Sequence, residues 1–440
     1  MLARVLIANR GEVAIRIARA CAELGVAAVA VYAADDADCL HVAKADAAVA
    51  LPGRGAAAYL DAGAIAEAAL TAGCDAVHPG YGFLSENAAF AESCAAAGLT
   101  FVGPSPQVLK LFGDKAAARV LAQRCGVPVA AGTAGPASLE EARAFLTGLG
   151  AGGAMMIKAV AGGGGRGMRV VREAAQLDES YQRCGSEALA AFGAADVYVE
   201  EFIGRARHIE VQVTGDRSGN LIHLLERECS VQRRHQKFIE IAPSPWLGPA
   251  LRQQLTDAAL RLVGAAQYTG IGTVEFLVEM LADGSATGRF VFIEMNPRLQ
   301  VEHTVTEEVL GVDLVALQLR LAAGMTLDEL GLANGAPAPR GHAIQLRVNM
   351  ETISPDGSTL PSGGTLRAFE PPLGAGVRVE TFGYPGYTTH PGFDALLAKV
   401  IVHAPAFADA VSRGYRALCE LFIEGVATNL IVLQNLLKHP

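Results

Sequence analysis

Residues 4–32, RVLIANRGEVAIRIARACAELGVAAVAVY, decide the fold class at the start of the chain. RVLIA (4–8) is a short apolar run typical of a buried strand, and apolar residues then recur at helical spacing until Gly25. VAAVAVY (26–32) has the composition of a second strand. A strand, a helix and a second strand in this order predict a doubly wound α/β beginning.

Two turns near this beginning have both a structural and a functional interpretation. NRGE (9–12) has one glycine and lacks the G-x-G-x-x-G pattern of dinucleotide-binding loops, although Asp35 and Asp36 follow the second strand where a ribose-binding carboxylate would lie. VHPGYGFLSEN (77–87) is a tight turn that opens a helix, with Ser85 or Asn87 as its cap. Taken alone, both patterns favour structural turns over sites.

Composition limits the class of protein. The chain has 440 residues, is 51% hydrophobic and carries a net charge of −9, so it buries substantial cores and is not suited to general binding of nucleic acid or anionic membranes. Its 8 cysteines form no C-x-x-C motif, which fits reduced thiols better than disulfides or zinc ligands. No apolar stretch reaches the roughly 18 residues of a membrane span, and no export signal is visible. We expect a cytoplasmic protein with no nucleic-acid or membrane partner.

A glycine-rich loop, IKAVAGGGGRGM (157–168), is the first candidate for phosphate binding. Gly162 and Gly167 have Walker A spacing, but Met168 and Arg169 replace the required Lys and Ser/Thr. The loop joins two strand-like runs, whereas a Rossmann loop leads into a helix, and the kinase motifs that would follow a kinase flap are missing. Two interpretations remain, namely a hairpin flap in a non-kinase nucleotide enzyme and a flexible surface turn.

Alternation in FIEMNPRLQVEH (292–303) is the strongest functional signal in the chain. If the segment is a strand, all its even-numbered polar side chains share one face, and these are Glu294, Asn296, Arg298, Gln300 and Glu302. Such a row is either a solvated face or a site for cations and anions together. The apolar residues between them indicate a covered strand and favour the site.

Two further strands repeat this alternation, and a basic turn lies between them. RHIEVQVTG (207–215) places His208, Glu210 and Gln212 on one face, and GTVEFLVE (272–279) contributes Glu275. Glu275 and Glu294 on neighbouring strands would offer the oxygen ligands that Mg²⁺ or Mn²⁺ prefers. The segment ECSVQRRHQKFIE (228–240) suits an anionic substrate in an acidic protein, although a solvated basic turn or isolated edge-strand residues are the alternatives.

Together these segments resemble the biotin carboxylase family of ATP-grasp enzymes. The resemblance covers essentially the whole chain and runs through IANRGEVAIRI, HPGYGFLSEN, GDK, IKAVAGGGGRGM, RHIEVQV, ERECSVQRRHQK, GTVEF, IEMNPRLQVEHTVTE and RGHAIQLRVN. QRRHQK and NPRLQVEH are the most specific of these motifs. The resemblance implies a mixed α/β and α+β fold with three domains. They are a Rossmann-like N-terminal domain (1–114), an ATP-grasp domain (115–330) with a mobile lid at about 131–203, and a C-terminal biotin carboxylase domain (331–440).

The family's reaction implies a role for each matching residue. As an ATP-dependent ligase, the chain would use ATP with Mg²⁺ or Mn²⁺ to convert bicarbonate to carboxyphosphate, and the released CO₂ would carboxylate N1′ of biotin. The nucleotide would be bound by Lys115, Lys158, Gly163, Gly164, Gly165, Gly167, Glu200, Ile203, His208, Gln232 and His235, and the metals by Glu275, Glu294 and Asn296. Bicarbonate would contact Lys237, Arg298, Gln300 and the backbone of Val301, with Glu302 as general base, and biotin would contact Tyr81 and Arg347.

Departures from the family pattern leave some expectations less specific. RVNMETIS (347–354) differs from many relatives after Asn349, and LADGSATGR (281–289) is a longer connection, expected to be a surface hairpin turn. The A-M-K-M type motif that carries biotin is missing, so we expect the biotin carrier and the carboxyltransferase on separate subunits or a longer chain. We also expect a homodimer and, as the complete enzyme, an acyl-CoA carboxylase. The alternatives are a ligase like carbamoyl-phosphate synthetase and a non-catalytic nucleotide-binding module.

Overall fold

The computed structural model describes residues 2–133, 135–150, 152–160 and 167–439. Its architecture is mixed α/β, as predicted, with a parallel sheet first and antiparallel sheets after it. Within these ranges, no helix combines the length and apolar character needed to cross a membrane.

The N-terminal part is a five-stranded parallel sheet in the order β3-β2-β1-β4-β5, which confirms the doubly wound prediction. Its strands are β1 (Arg4–Ile7), β2 (Ala27–Tyr32), β3 (Ala47–Ala50), β4 (Ala76–His78) and β5 (Thr100–Phe101). Its helices are α1 (Gly11–Glu23), α2 (Leu40–Lys44), α3 (Gly55–Ala58), α4 (Ala62–Thr71), α5 (Ala88–Ala96) and α6 (Pro106–Gly113). The strand order reverses between β1 and β4, so the two turns that follow these strands lie side by side where ligands bind in such sheets.

Local signals explain where these helices begin and end. Helix α1 ends just before Gly25, whose φ of 67° is in the left-handed region that glycine adopts readily. Asn87, not Ser85, caps α5, because its side chain accepts a hydrogen bond from the backbone N–H of Phe90 at 2.9 Å.

A small three-stranded antiparallel sheet, in the order β7-β6-β8, follows the first domain. The elements of this region are α7 (Lys115–Arg124), α8 (Leu139–Gly148), β6 (Met155–Ala159), β7 (Met168–Val171), a short 3-10 helix (Ala174–Gln176), α9 (Leu177–Phe192) and β8 (Val197–Glu201). The predicted strands on both sides of the glycine run therefore form and pair with each other. Residues 161–166 of that run lie outside the described residues.

An eight-stranded antiparallel sheet, in the order β13-β12-β9-β10-β11-β14-β19-β18, forms the centre of the molecule. Its first part contains β9 (Ala206–Gly215), β10 (Leu221–Arg233), β11 (Gln236–Ala242), α10 (Pro249–Ala265), β12 (Gly270–Met280), β13 (Ala286–Asn296), α11 (His303–Leu310) and α12 (Leu314–Ala322). Residues 281–285 form an exposed turn between β12 and β13.

The C-terminal part completes this sheet. Its elements are β14 (His342–Asn349), β15 (Glu351–Ile353), β16 (Thr359–Pro361), β17 (Ala368–Glu370), β18 (Val377–Thr381), β19 (Leu396–Ala404), α13 (Phe407–Glu420), β20 (Phe422–Glu424) and α14 (Leu430–Lys438). Strand β14 pairs with β11, placing Leu346 opposite Ile239. The sheet is therefore continuous across residue 331, where the family resemblance places a domain boundary.

Alternation along β9 separates the two faces of this sheet. Ile209, Val211 and Val213 are fully buried in one apolar core with residues of α7 and α10. Glu210 and Gln212 point to the opposite face, where Arg227 joins them to Thr306 of α11. A strand sends successive side chains to opposite faces, so one face of the sheet builds the core and the other collects polar groups.

Candidate active site

Lys237, at the start of β11, lies at the centre of the polar face. Its ammonium contacts the carboxylates of Glu210 at 2.6 Å, Glu302 at 2.5 Å and Glu275 at 3.4 Å. Burial would lower the pKa of Lys237, but the Cys229 thiol and these carboxylates raise it well above its usual value. Lys237 is therefore a fixed positive charge in an acidic pocket.

Glu302 lies between two cations at the N-terminal end of α11. Its Oε1 accepts from Lys237, and its Oε2 accepts from Arg347 at 3.0 Å. Burial favours the protonated form of Glu302, but Lys237, Arg347 and Arg227 outweigh it and hold its pKa well below the usual range. The carboxylate is thus ionised, with a cation held on each of its oxygens.

The predicted strand around Glu302 is wrong after residue 296. Strand β13 ends at Asn296, and residues 297–302 form a bend and a turn before α11. Pro297 accounts for the end, since proline has no N–H to donate to a strand ladder. Arg298, Gln300 and Glu302 therefore reach the site from a loop, and not as one row of a strand.

Glu275 brings the loop and the sheet together. Its Oε1 accepts from Asn296 at 2.8 Å and from Gln300 at 2.9 Å, and its other oxygen lies 2.8 Å from His208 Nε2. Arg298 donates to Asn296 and to Glu86, which follows the HPGYG turn. The structure thus places together most of the residues predicted to bind metal and bicarbonate.

The carboxylates here have the chemistry of a divalent-cation site. One ligand atom from each of His208, Glu210 and Glu275 lies within 4.8 Å of the others. Glu294 is directly opposite Glu275 in the β12–β13 ladder, which puts both carboxylates on the same face. Hard oxygen ligands of this kind fit Mg²⁺ or Mn²⁺.

Side chains predicted to bind phosphates have acidic partners on the same side of the sheet. Lys115 lies 3.5 Å from Glu294, and Lys158 forms an ion pair with Glu200, which also accepts from Arg119 at 3.0 Å. In each pair, the carboxylate offsets the positive charge of the lysine. An anion that binds them must compete with the glutamates.

The other residues predicted to bind the nucleotide have different surroundings. The Nε2 of Gln232 lies 2.8 Å from Nδ1 of His208. Burial, together with the charges of Lys158 and His208, lowers the pKa of His235, so its neutral form is favoured. Ile203 is buried beside Ala130 and Val291. Gly167 is described at the start of the second hairpin strand, whereas Gly163, Gly164 and Gly165 lie outside the described residues.

The predicted biotin residues flank the other side of Glu302. Arg347, on β14, donates from Nε to Glu240 at 2.5 Å and from Nη2 to Glu302. Tyr81 donates its hydroxyl hydrogen to Glu12. Burial and the Glu12 carboxylate raise the pKa of Tyr81 well above its usual value, and the charge of Arg347 acts in the opposite direction.

Similarity to known proteins identifies the family of the chain. Models of three families match in succession, namely the biotin carboxylase N-terminal domain over residues 1–109, the carbamoyl-phosphate synthase L chain ATP-binding domain over 114–330, and the biotin carboxylase C-terminal domain over 345–440. A biotin carboxylase of Nostoc sp. is 46% identical over 439 residues, covering 99% of this chain and 95% of that protein. The chain belongs to the biotin carboxylase family. As predicted, it is by family an ATP-dependent ligase.

Other members of the biotin carboxylase family are parts of longer chains. Pyruvate carboxylase of Mus musculus is 48% identical over 99% of this chain, which spans only 36% of that protein. The biotin carboxylase domain dimer of Hydrogenobacter thermophilus 2-oxoglutarate carboxylase, solved with MgADP, ADP and bicarbonate, has a TM-score of 0.92 and 41% identity, and the match covers 100% of this chain and 94% of that one. A single-chain, multi-domain long-chain acyl-CoA carboxylase has a TM-score of 0.86 and 47% identity, over 100% of this chain and 41% of that one.

Sequence analysis did not identify Arg227, a buried arginine at the candidate site. Arg227 is completely buried and donates to five side chains, which are Glu210, Gln212, Thr273, Gln300 and Thr306. It lies two residues before Cys229 in the ERECSVQRRHQK motif, but a single arginine in a strand has no spacing signal. Glu240, the partner of Arg347, was missed for the same reason.

A dinucleotide site in the N-terminal sheet would need a carboxylate that is free to bind a ribose. The Asp36 carboxylate already has other partners. Its two oxygens accept from Arg10 at 2.6 and 2.7 Å, and Tyr59 donates to it at 2.6 Å. The side chain is 2% exposed. Asp36 therefore has a structural role, as the missing glycines of the NRGE turn predict.

Proposed function

We propose that the chain catalyses the first half-reaction of a biotin-dependent carboxylase, in which ATP and bicarbonate carboxylate N1′ of biotin. The observation that carries the proposal is Glu302, an ionised carboxylate between Lys237 and Arg347. Lys237 is one of the residues proposed for bicarbonate, and Arg347 is proposed for biotin together with Tyr81. A base placed between an anion site and a biotin site suits a reaction that moves carbon from one to the other.

ATP would bind between the small sheet and the large one. Lys115, Lys158 and the glycine loop would hold the phosphates, Glu200 and Ile203 the adenine, and His208, Gln232 and His235 the rest of the pocket. Glu275, Glu294 and Asn296 would hold Mg²⁺ or Mn²⁺, which would neutralise charge on the phosphates during transfer. The H. thermophilus domain, whose fold this chain shares, was solved with MgADP and bicarbonate, which supports this placement.

Bicarbonate would bind against Lys237, Arg298, Gln300 and the backbone of Val301. Glu302 would take its proton as a bicarbonate oxygen attacks the γ-phosphate, giving ADP and carboxyphosphate. Carboxyphosphate would break down to CO₂ and phosphate. The phosphate would accept the N1′ proton of biotin as N1′ attacks CO₂, and the guanidinium of Arg347 would stabilise the enolate-like biotin oxygen.

The acceptor of the carboxyl group would be chosen by a carboxyltransferase, with biotin on a carrier domain. Pyruvate carboxylase and long-chain acyl-CoA carboxylase are similarly close to this chain, at 48% and 47% identity. The acyl-CoA acceptor predicted from sequence is therefore not favoured over pyruvate. The dimeric H. thermophilus domain supports a homodimer here, which size-exclusion chromatography with light scattering would test.

The test is ATP hydrolysis by the purified chain with bicarbonate present or absent, and with free biotin or ammonia added. We expect hydrolysis to need bicarbonate and to rise with biotin. No response to biotin, with faster ADP release on adding ammonia, would establish the ligase like carbamoyl-phosphate synthetase. Nucleotide binding without any bicarbonate-dependent hydrolysis would establish a non-catalytic module.

A further inference from the structure

The NRGE turn holds the HPGYG turn in place. Asn9 donates from Nδ2 to the backbone carbonyls of Pro79 at 2.7 Å and Tyr81 at 2.8 Å. Gly80 between them has a φ of 63°, and a Cβ at this position would lie 2.9 Å from Nδ2 of Asn9. The two turns thus fit together only with glycine at position 80, and the backbone of Tyr81 is fixed from β1.

The second contact between the turns is made by a buried charge. Glu12 is 3% exposed and accepts the hydroxyl hydrogen of Tyr81 on Oε1. Its Oε2 lies 3.1 Å from the ammonium of Lys399, which is completely buried. A buried carboxylate with a hydrogen bond on one oxygen and an ion pair on the other has little freedom to move, so it fixes the tyrosine ring as well as its backbone.

Lys399 extends this chain of contacts to the other side of the pocket. It lies on β19 directly opposite Arg347 on β14, so the two side chains share a face of the sheet. Its Nζ also donates to the backbone carbonyl of Val301 at 3.0 Å. Val301 precedes Glu302, whose carboxylate bonds Arg347. Contacts therefore run without a break from Tyr81 through Glu12 and Lys399 to Val301.

We propose that Glu12 and Lys399 are positioning residues that hold the biotin-facing tyrosine and the bicarbonate-facing loop in a fixed relation. This inference rests on the function proposed above, since it takes Tyr81 as a biotin contact and Val301 as a bicarbonate contact. Among the described residues, the side-chain hydrogen bonds and ion pairs of Glu12 and Lys399 are with Tyr81, with Val301 and with each other. Their contribution is to the alignment of the two smaller substrates, which must meet within one pocket.

The proposal predicts a selective change in KM. Glu12→Gln keeps an acceptor for Tyr81 but removes the counter-ion of Lys399, which loosens both ends of the chain of contacts. We expect KM for free biotin to rise about tenfold and KM for bicarbonate a few-fold, with KM for ATP within about twofold, because one charge-assisted hydrogen bond is worth about a factor of ten. Lys399→Met should show the same pattern.

The matched control is Glu226→Gln, because Glu226 is equally buried and pairs with Arg252 at 2.9 Å. It should leave all three KM values unchanged. If a single variant fails to fold, Glu12→Gln combined with Lys399→Met removes both charges, and the same selective rise is expected. Biotin and bicarbonate KM values within twofold of the unaltered chain, or an equal rise in KM for ATP, would overturn the proposal. If free biotin does not stimulate ATP hydrolysis by the unaltered chain, the proposed function is refuted instead.

Discussion

Replacing Glu302 by glutamine tests the proposed base with little change in shape. Glu302 accepts from Lys237 on one oxygen and from Arg347 on the other. An amide has one acceptor oxygen, so its NH₂ must face one of these cations. Lys237 keeps Glu210 and Glu275 as partners, and Arg347 keeps Glu240. No buried cation is left unpaired.

The expected magnitudes follow from these contacts. Because both cations retain carboxylates, the loss of folding free energy should be about 2 kcal/mol, near that of one charged hydrogen bond and below the cost of an unpaired buried charge. Loss of a general base should slow turnover about 100-fold to 10,000-fold, which corresponds to about 3–5 kcal/mol of barrier. ATP affinity should stay within a few-fold, because Lys115 and Lys158 have other partners.

The assay is biotin-stimulated, bicarbonate-dependent release of ADP, with ATP affinity measured separately by calorimetry. A Glu302→Gln variant that keeps more than about a tenth of the turnover would falsify the assignment of Glu302 as base. Loss of ATP binding with the fold intact would show instead that the carboxylate serves the nucleotide. Glu226→Gln, which removes a buried carboxylate on the opposite side of the sheet, is the control for general destabilisation.

Three further predictions concern other parts of the molecule. Arg227→Met should lower the free energy of unfolding by about 3–5 kcal/mol in urea denaturation, because it removes a buried cation with five partners, and a loss below about 1 kcal/mol would contradict this. Burial lowers the pKa of His41 to about 4, so the native state resists protonation and loses stability as the pH falls below the unfolded value of about 6.5. His41→Gln should recover roughly 2–3 kcal/mol of that loss near pH 4.5, and an unchanged pH dependence would rule out His41 as its source. Bulky residues at Gly164 and Gly165 should raise KM for ATP far more than they lower the melting temperature, and equal effects would favour a plain surface turn.

The fold was predictable where one segment supplies its own pattern. Residues 4–32 predict strand, helix and strand, and the structure confirms all three elements. The strands on both sides of the glycine run and the strands that carry Glu275 and Glu294 were also predictable, because period-two alternation depends only on neighbours in sequence. The residue types of the candidate site could be recognised from their motifs in the same way.

Alternation predicts the wrong geometry where the backbone changes direction. It placed Glu294, Asn296, Arg298, Gln300 and Glu302 in one row, but the strand ends at Asn296. The loop after Pro297 still delivers the later side chains to the same pocket, because Glu275 binds Gln300 and Arg347 binds Glu302. These side chains therefore come together through a loop, and not along one face of a strand.

The local order of residues determines which elements form and which chemical groups they carry. Residues 4–32, the alternating strands and the basic turn are the examples. Only the tertiary structure decides which of these groups meet. Lys399 on β19 contacts Glu12 on α1 and Val301 in the loop before α11, although the three are far apart in the chain. Arg227 donates to five side chains from four segments. The physical reason is that hydrophobic burial and strand pairing choose long-range neighbours, whereas periodicity reports only on residues close in sequence.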